Sequence, residues 1–203
     1  MHTKIFSATT VGVHAHQVDV EVDISFGLVN FFIVGLPDTA IKESRQRIVT
    51  ALKNSGFKVP EKKITVNLAP AHIKKEGTLF DLPIALGILY AGKMIDIDPK
   101  FLEETIIIGE LSLDGTIKPI QGALAIACDA HKLGKKRIIL PYDNAHEAGL
   151  IKDVEIFGIK SLVELVHFLR GESKIKATKT DIAEYIASHT TENIDFSDVR
   201  GQA

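Results

Sequence analysis

The 203-residue chain has one cysteine, Cys128, so no disulfide forms within it, which fits a reducing compartment. In its run of small and apolar neighbours, that cysteine reads as a buried helix residue rather than a reactive thiol. Neither sign of charge dominates. Lys and Arg number 24 against 26 Asp and Glu, and the formal net charge of −2 gives no global pull toward nucleic acid or an anionic membrane. No apolar run approaches the ~20 residues of a membrane helix. The opening MHTKIFSATTVGV lacks the long apolar core of a signal peptide. No G-x-x-x-x-G-K-[ST] occurs, so a phosphate cradle of that kind is missing. There is no internal repeat and no low-complexity tract. The expectation is a cytoplasmic protein without a membrane partner.

What is present is 45% hydrophobic, enough for a proper core, and organised around residues 64–89, ITVNLAPAHIKKEGTLFDLPIALGIL. Ile64 to Leu68 is β-branched and alternating, which predicts a strand. Ala69 to Thr78 is a loop carrying Lys74, Lys75 and Gly77. Asp81 and Pro83 are helix-start signals, the carboxylate accepting orphan N–H groups and the proline lacking one. The helix that follows is apolar nearly all round and is expected to be buried. Its N-terminus, beside a basic loop, is a place where an anion could sit.

Residues 3–11 and 17–24 read as paired strands. Val18, Val20, Val22 and Ile24 alternate with Gln17, Asp19, Glu21 and Asp23, leaving one acidic face. VNFFIV at 29–34 is a third strand. Asp38 caps a helix over 39–54, which Ser55-Gly56 ends. Beyond the buried helix, Gly92 and Pro99 bracket a connection and TIIIG at 105–109 is a strand. Asp114-Gly115 makes a hairpin of residues 110–118. A helix is expected over 119–133, a strand over 137–140, a short helix over 144–150, a strand over 154–157, and a helix capped by Ser161 to about Arg170. From Gly171 the chain turns polar. We read a domain over 1–170 and a polar linker over 171–203, with a short helix at 181–188. This order gives an α/β or α+β class with a mixed sheet and helices on one face.

Candidate chemistry is sparse. His14 and His16 form an H-x-H with no local third ligand, and the plainer reading is surface histidines. His72, beside Lys74 and Lys75, could touch a phosphate or simply be solvated. Asp38, Glu43, Asp81 and Glu110 offer paired carboxylates, but Asp38 and Asp81 are better explained as caps. Residues 42–75 hold nine cations, Lys42, Arg45, Arg47, Lys53, Lys58, Lys62, Lys63, Lys74 and Lys75, against Glu43 and Glu61. Such segregation suits a phosphate backbone. The alternative is a solvated helix face, since Phe57 is the stretch's one aromatic residue.

Three blocks, IVGLPDTAIKESRQRIVTALKNSGF, ITVNLAPAHIKKEGTLFDLPIALGIL and GELSLDGTIKPIQGAL, resemble the N-terminal domain of the magnesium chelatase-like AAA+ ATPases, the bacterial ComM/YifB competence family. The resemblance covers about residues 3–170. It implies a Lon-protease-like α+β fold, shared with a ribosomal-protein domain, in which helices pack on a mixed sheet with a left-handed βαβ crossover. It also implies a hexameric ATPase that acts on DNA branch migration in natural transformation, with DNA and its own copies as partners. Asp195 to Gln202, DFSDVRGQ, resembles the start of the AAA+ module, and ATP and Mg belong to that module rather than to this stretch. Within this stretch no cofactor, metal or catalytic residue is expected. Lys42, Arg45, Lys74 and Lys75 are the expected nucleic-acid contacts.

A Lon-type site needs a serine and a lysine base. The resemblance places the serine position on Leu79 and the lysine position on Ile126, and neither side chain can attack a carbonyl or move a proton. Thr78 with Lys74 or Lys75 is the hydroxyl–amine pairing left in that loop. A residual Ser/Thr-type peptidase and a metal-chelatase assembly subunit are the alternatives.

Overall fold

The alternation of residues 17–24 becomes the two faces of a long strand in the computed structural model, which describes residues 2–189. Strand β1 (His2–Val11) pairs antiparallel with β2 (His14–Ser25), from His2 opposite Asp23 to Val11 opposite His14. Strand β3 (Asn30–Val34) and helix α1 (Thr39–Asn54) follow, and β4 (Lys63–Ala69) then inserts between β2 and β3. It runs antiparallel to β2 and parallel to β3. One face of this four-stranded sheet, with Val20, Val22, Ile24, Phe31, Ile64, Val66 and Leu68, is buried under helices. Helix α2 (Asp81–Ala91) lies across β1 and β2, close enough that a Cβ at Gly87 would fall 2.6 Å from Val22 Cγ2.

The other face is covered toward the β1–β2 hairpin, where Ala8 and Ala15 are buried. Farther along it, Asp19, Glu21, Asp23, Asn67, Phe32 and Val34 keep contact with water. The half-buried pattern and its acidic face are therefore as the sequence predicts.

Helix α3 (Pro99–Glu103) lies between the connection that ends at Pro99 and the next strand, where the sequence pattern assigned no element. Asp98 caps it, accepting from Lys100 N–H at 3.0 Å. Strand β5 (Thr105–Ile107) leads to a small hairpin of β6 (Glu110–Leu111) and β7 (Ile117–Lys118), turning at Asp114-Gly115. Helix α4 (Ala123–Ala130), β8 (Arg137–Pro141), a 3-10 turn (Tyr142–Asn144), α5 (Ala145–Ala148), β9 (Glu155–Ile159), α6 (Leu162–Leu169) and α7 (Ile182–His189) complete the order. Ser161 caps α6 by accepting from Glu164 N–H, while the Glu164 carboxylate accepts from Lys160 N–H.

The α+β class holds, but the sheet is not single. β5, β8 and β9 form a separate, all-parallel sheet. Ile106, Ile138, Leu140 and Ile156 bury into one apolar cluster, and Ile107, Ile139 and Ile159 into the other. Strands apolar on both faces belong in a sheet covered on both sides.

Two further expectations change. The helix expected from Pro119 starts at Ala123, because Gly122 is left-handed at φ 83° and Asn144 holds both the N–H and the C=O of Ile120. Part of the stretch read as a linker is tied to the domain. Thr178 N–H donates to Ile156 C=O at 2.7 Å, Thr180 N–H donates to Gly149 C=O, and Ile175 packs on the core. The segment resembling the start of an AAA+ module, 195–202, lies outside the described residues.

Candidate functional site

Two loops meet at the end of the β3–β4 pair. In the turn after β3, Gly35 has φ 99° and Leu36 φ 60°. A Cβ at Gly35 would lie 2.2 Å from Leu68 C=O, so only glycine fits. Asp38 caps α1 by accepting from Ile41 N–H at 2.8 Å, as expected, and its second oxygen accepts from Gly77 N–H at 2.9 Å. Asp38 N–H donates to Lys75 C=O at 3.2 Å. The carboxylate thus ties the basic loop to the helix it caps.

Lys75 completes this junction. Its side chain is fully buried, and its ammonium donates to Gly35 C=O at 2.9 Å and to Pro70 C=O. Burial lowers its pKa. Lys75 is therefore a structural clamp and not a nucleic-acid contact, which corrects the expectation. Lys74, one residue earlier, is exposed and paired with Glu76.

A second polar group lies at the start of α2. Asp81 is the first residue of that helix and not its cap, a position taken by Phe80 without a side-chain bond. The buried Asp81 carboxylate instead meets Arg47 of α1, with Nε at 2.8 Å and Nη2 at 3.2 Å, and Leu111 N–H at 3.3 Å. A carboxylate taken out of water needs a counter-charge more than an exposed helix end needs a cap. Burial raises its pKa to about 6, offset in part by Arg47, while the charge of Glu110 adds to the rise. Of the four candidate carboxylates, Glu110 is close enough to add to the rise at Asp81, Glu43 acts on the Arg47 partner of Asp81, and Asp38 is engaged at the cap of α1.

Beside this pair opens a cleft of about 430 Å³, lined by Thr9, Thr10, Thr78, Leu79, Glu110 and Gln121. The Thr78 hydroxyl donates to Glu110, and neither lysine of the loop is its partner. The hydroxyl–amine pairing left open by the sequence is not formed. Leu79 packs against the apolar cluster that contains Ile126. The two positions that the resemblance assigns to nucleophile and base thus share one apolar region.

Of the nine cations in 42–75, Arg47 and Lys75 are spent internally and the other seven are exposed. Lys42, Arg45 and Lys53 recur along one side of α1 at helical spacing. Both Lys42 and Arg45 are therefore placed to meet a ligand in solution. His72 is exposed on its loop. His14 is 3.6 Å from Asp129, and among the described residues no three His, Cys, Asp or Glu side chains gather to hold a metal. Cys128 is exposed on α4, because the buried side of that helix runs through Ala123, Ile126, Ala127 and Ala130. Among the described residues no helix is long and apolar enough to cross a membrane.

Nothing in the local pattern announces the Arg47–Asp81 pair beyond the buried setting of Asp81. Arg47 lies 34 positions earlier and looks like its exposed neighbour Arg45.

These features define a mixed α+β domain with exposed cations along α1 and, apart from them, a cleft lined in part by Leu79 and Ile120. The profile of the family described as subunit ChlI of Mg-chelatase matches residues 20–144, and the chain belongs to that family. It is 37% identical over 199 residues to competence protein ComM of Haemophilus influenzae, covering 98% of this chain and 38% of that protein. It is 40% identical over 203 residues to YifB of Escherichia coli strain K12, covering 100% of this chain and 38% of that protein. Lon protease 2 of Bacillus subtilis is 30% identical over 128 residues, 62% of this chain and 22% of that protein. The chain thus spans about two fifths of the length of its ComM and YifB relatives.

Proposed function

We propose that this chain is the non-proteolytic N-terminal domain of a longer, magnesium chelatase-like AAA+ ATPase of the cytoplasm. In this reading it has a Lon-protease-like fold with a left-handed crossover, packs subunits around a hexameric ring and contacts DNA. ATP and Mg serve the AAA+ module, and the process served is branch migration in natural transformation; the name of the relative, competence protein ComM, supports the link to competence alone. The observation that carries the non-proteolytic part is Leu79 lying against the cluster of Ile126, where a hydrolase would keep a hydroxyl and an amine. Lys42, Arg45 and Lys74 are the DNA contacts of this reading, Lys75 being withdrawn into the loop junction.

The test is electrophoretic mobility with single-stranded, duplex and branched DNA over a salt series. Lys42→Glu with Arg45→Glu is expected to weaken binding to all three forms and flatten the salt dependence. DNA binding that ignores both substitutions ends the proposed contact. Casein turnover that disappears in Thr78→Ala would end the non-proteolytic part.

A further inference from the structure

A row of apolar side chains follows β2 and runs along β3, and nothing above accounts for it. Phe26 is 91% exposed, Leu28 92% and Val29 69%, and Phe32 on β3 is 43% exposed. β3 is the last strand of its sheet, so its outer edge is unpaired. Lys62 Nζ stands 4.7 Å from the Phe26 ring centroid and Lys63 Nζ 5.7 Å from that of Phe32. Around the edge from Phe32, on the α1 side of β3, a groove of about 220 Å³ is lined by Val29 and Phe31, by Arg45 and Lys53 of α1, and by Lys62, so that a chain lying over the edge reaches both sides. Glu61 is the one acid lining it. On the sheet's outer face Asp23 is separated from Phe32 by Thr65, Glu21 accepts from Asn67, and Asp19 is paired with Lys4.

Exposed rings with cations beside them suit a ligand that offers flat faces and repeating negative charge together. We propose that this edge binds single-stranded DNA. Bases stack on Phe26 and Phe32, and phosphates run along Arg45, Lys53, Lys62 and Lys63. A duplex hides its base faces, so the rings would add nothing to it. A second copy of this edge would set four cations against four. A flat membrane surface cannot follow the groove between α1 and β3. The inference rests on the DNA contact proposed above and names its form and place.

The experiment is fluorescence anisotropy of the full chain with labelled oligo-dT and with a duplex of equal length, across a salt series. Sedimentation with phosphatidylserine vesicles and light scattering of the free protein run in parallel. Phe26→Ala and Phe32→Ala are each expected to weaken oligo-dT binding about tenfold and leave duplex binding unchanged. Lys62→Glu with Lys63→Glu is expected to weaken both and reduce the salt slope. An unchanged thermal midpoint in Phe26→Ala, whose ring is in water, excludes unfolding as the cause. If both DNA forms bind and the phenylalanine variants change neither, stacking is wrong while DNA contact stands. If neither form binds at low salt, both proposals fall. A phenylalanine variant that abolishes vesicle binding or self-association, with oligo-dT binding intact, assigns the edge to a membrane or a second copy and overturns the inference.

Discussion

The three-stranded parallel sheet and the four-stranded mixed sheet solve burial in opposite ways. In the first, successive residues such as Ile138 and Ile139 go to different apolar clusters, so both faces carry apolar packing. In the second, successive residues such as Phe31 and Phe32 go one to the core and one to solvent. A run apolar at every position leaves nothing over for recognition. An alternating run presents half its side chains to whatever comes from solution, and the candidate DNA contacts all belong to this half of the molecule.

Substitutions that touch the two regions test this contrast. The largest loss is expected for Arg47→Met, on the covered side of the four-stranded sheet. It leaves the Asp81 carboxylate buried without its cation, at a cost of about 3–5 kcal/mol at neutral pH by urea unfolding. The loss shrinks as pH falls from 7.5 toward 5.5 (roughly the span around the carboxyl's raised pKa), because protonation removes the orphaned charge. In the unaltered protein Asp81 titrates at about 6, above its unfolded value. The native state therefore binds that proton more tightly, and stability rises as pH falls through about 6 and declines as pH rises through it. Asp81→Asn is expected to remove this slope, and an unchanged pH profile would show that the carboxyl titrates normally.

Next comes Ile139→Ala in the parallel sheet, expected to cost about 2–5 kcal/mol because the cavity has no route to solvent. Lys75→Met leaves two carbonyls without their donor at the β3–β4 end, with an expected loss of about 1–3 kcal/mol. Lys74→Met, on the same loop but in water, is expected to leave the unfolding midpoint where it is. Equal effects at the two lysines would break the distinction between clamp and surface charge. Phe32→Ala on the open face is likewise expected to be small in stability, within about 0.5 kcal/mol, while changing oligo-dT affinity. A loss comparable to Ile139→Ala would mean that this face is covered after all.

Local pattern carried the elements whose causes are local. The alternation of β2, the Asp38 and Ser161 caps, the Asp114-Gly115 turn and the fully apolar α2 are each written within a few residues of where they act. The failures have a common physical origin. Asp81 reads as a cap until Arg47 arrives from another helix, and residues 119–122 read as helix until Asn144 holds Ile120. The apolar strands of 105–107 and 137–141 do not say whether they extend the first sheet or start another. The resemblance located Leu79 and Ile126, and only folding shows that they border one apolar region.

By itself the sequence narrowed the class to α/β or α+β and determined the segregation of charge into residues 42–75 and, at the two positions that the resemblance singles out, the lack of a hydroxyl and an amine. The tertiary structure alone decided which cations are free. Lys74 and Lys75 are the same residue type at adjacent positions, and one ends in water while the other is enclosed by carbonyls. Burial is a property of what the rest of the chain places around a side chain, and residues tens of positions away set it.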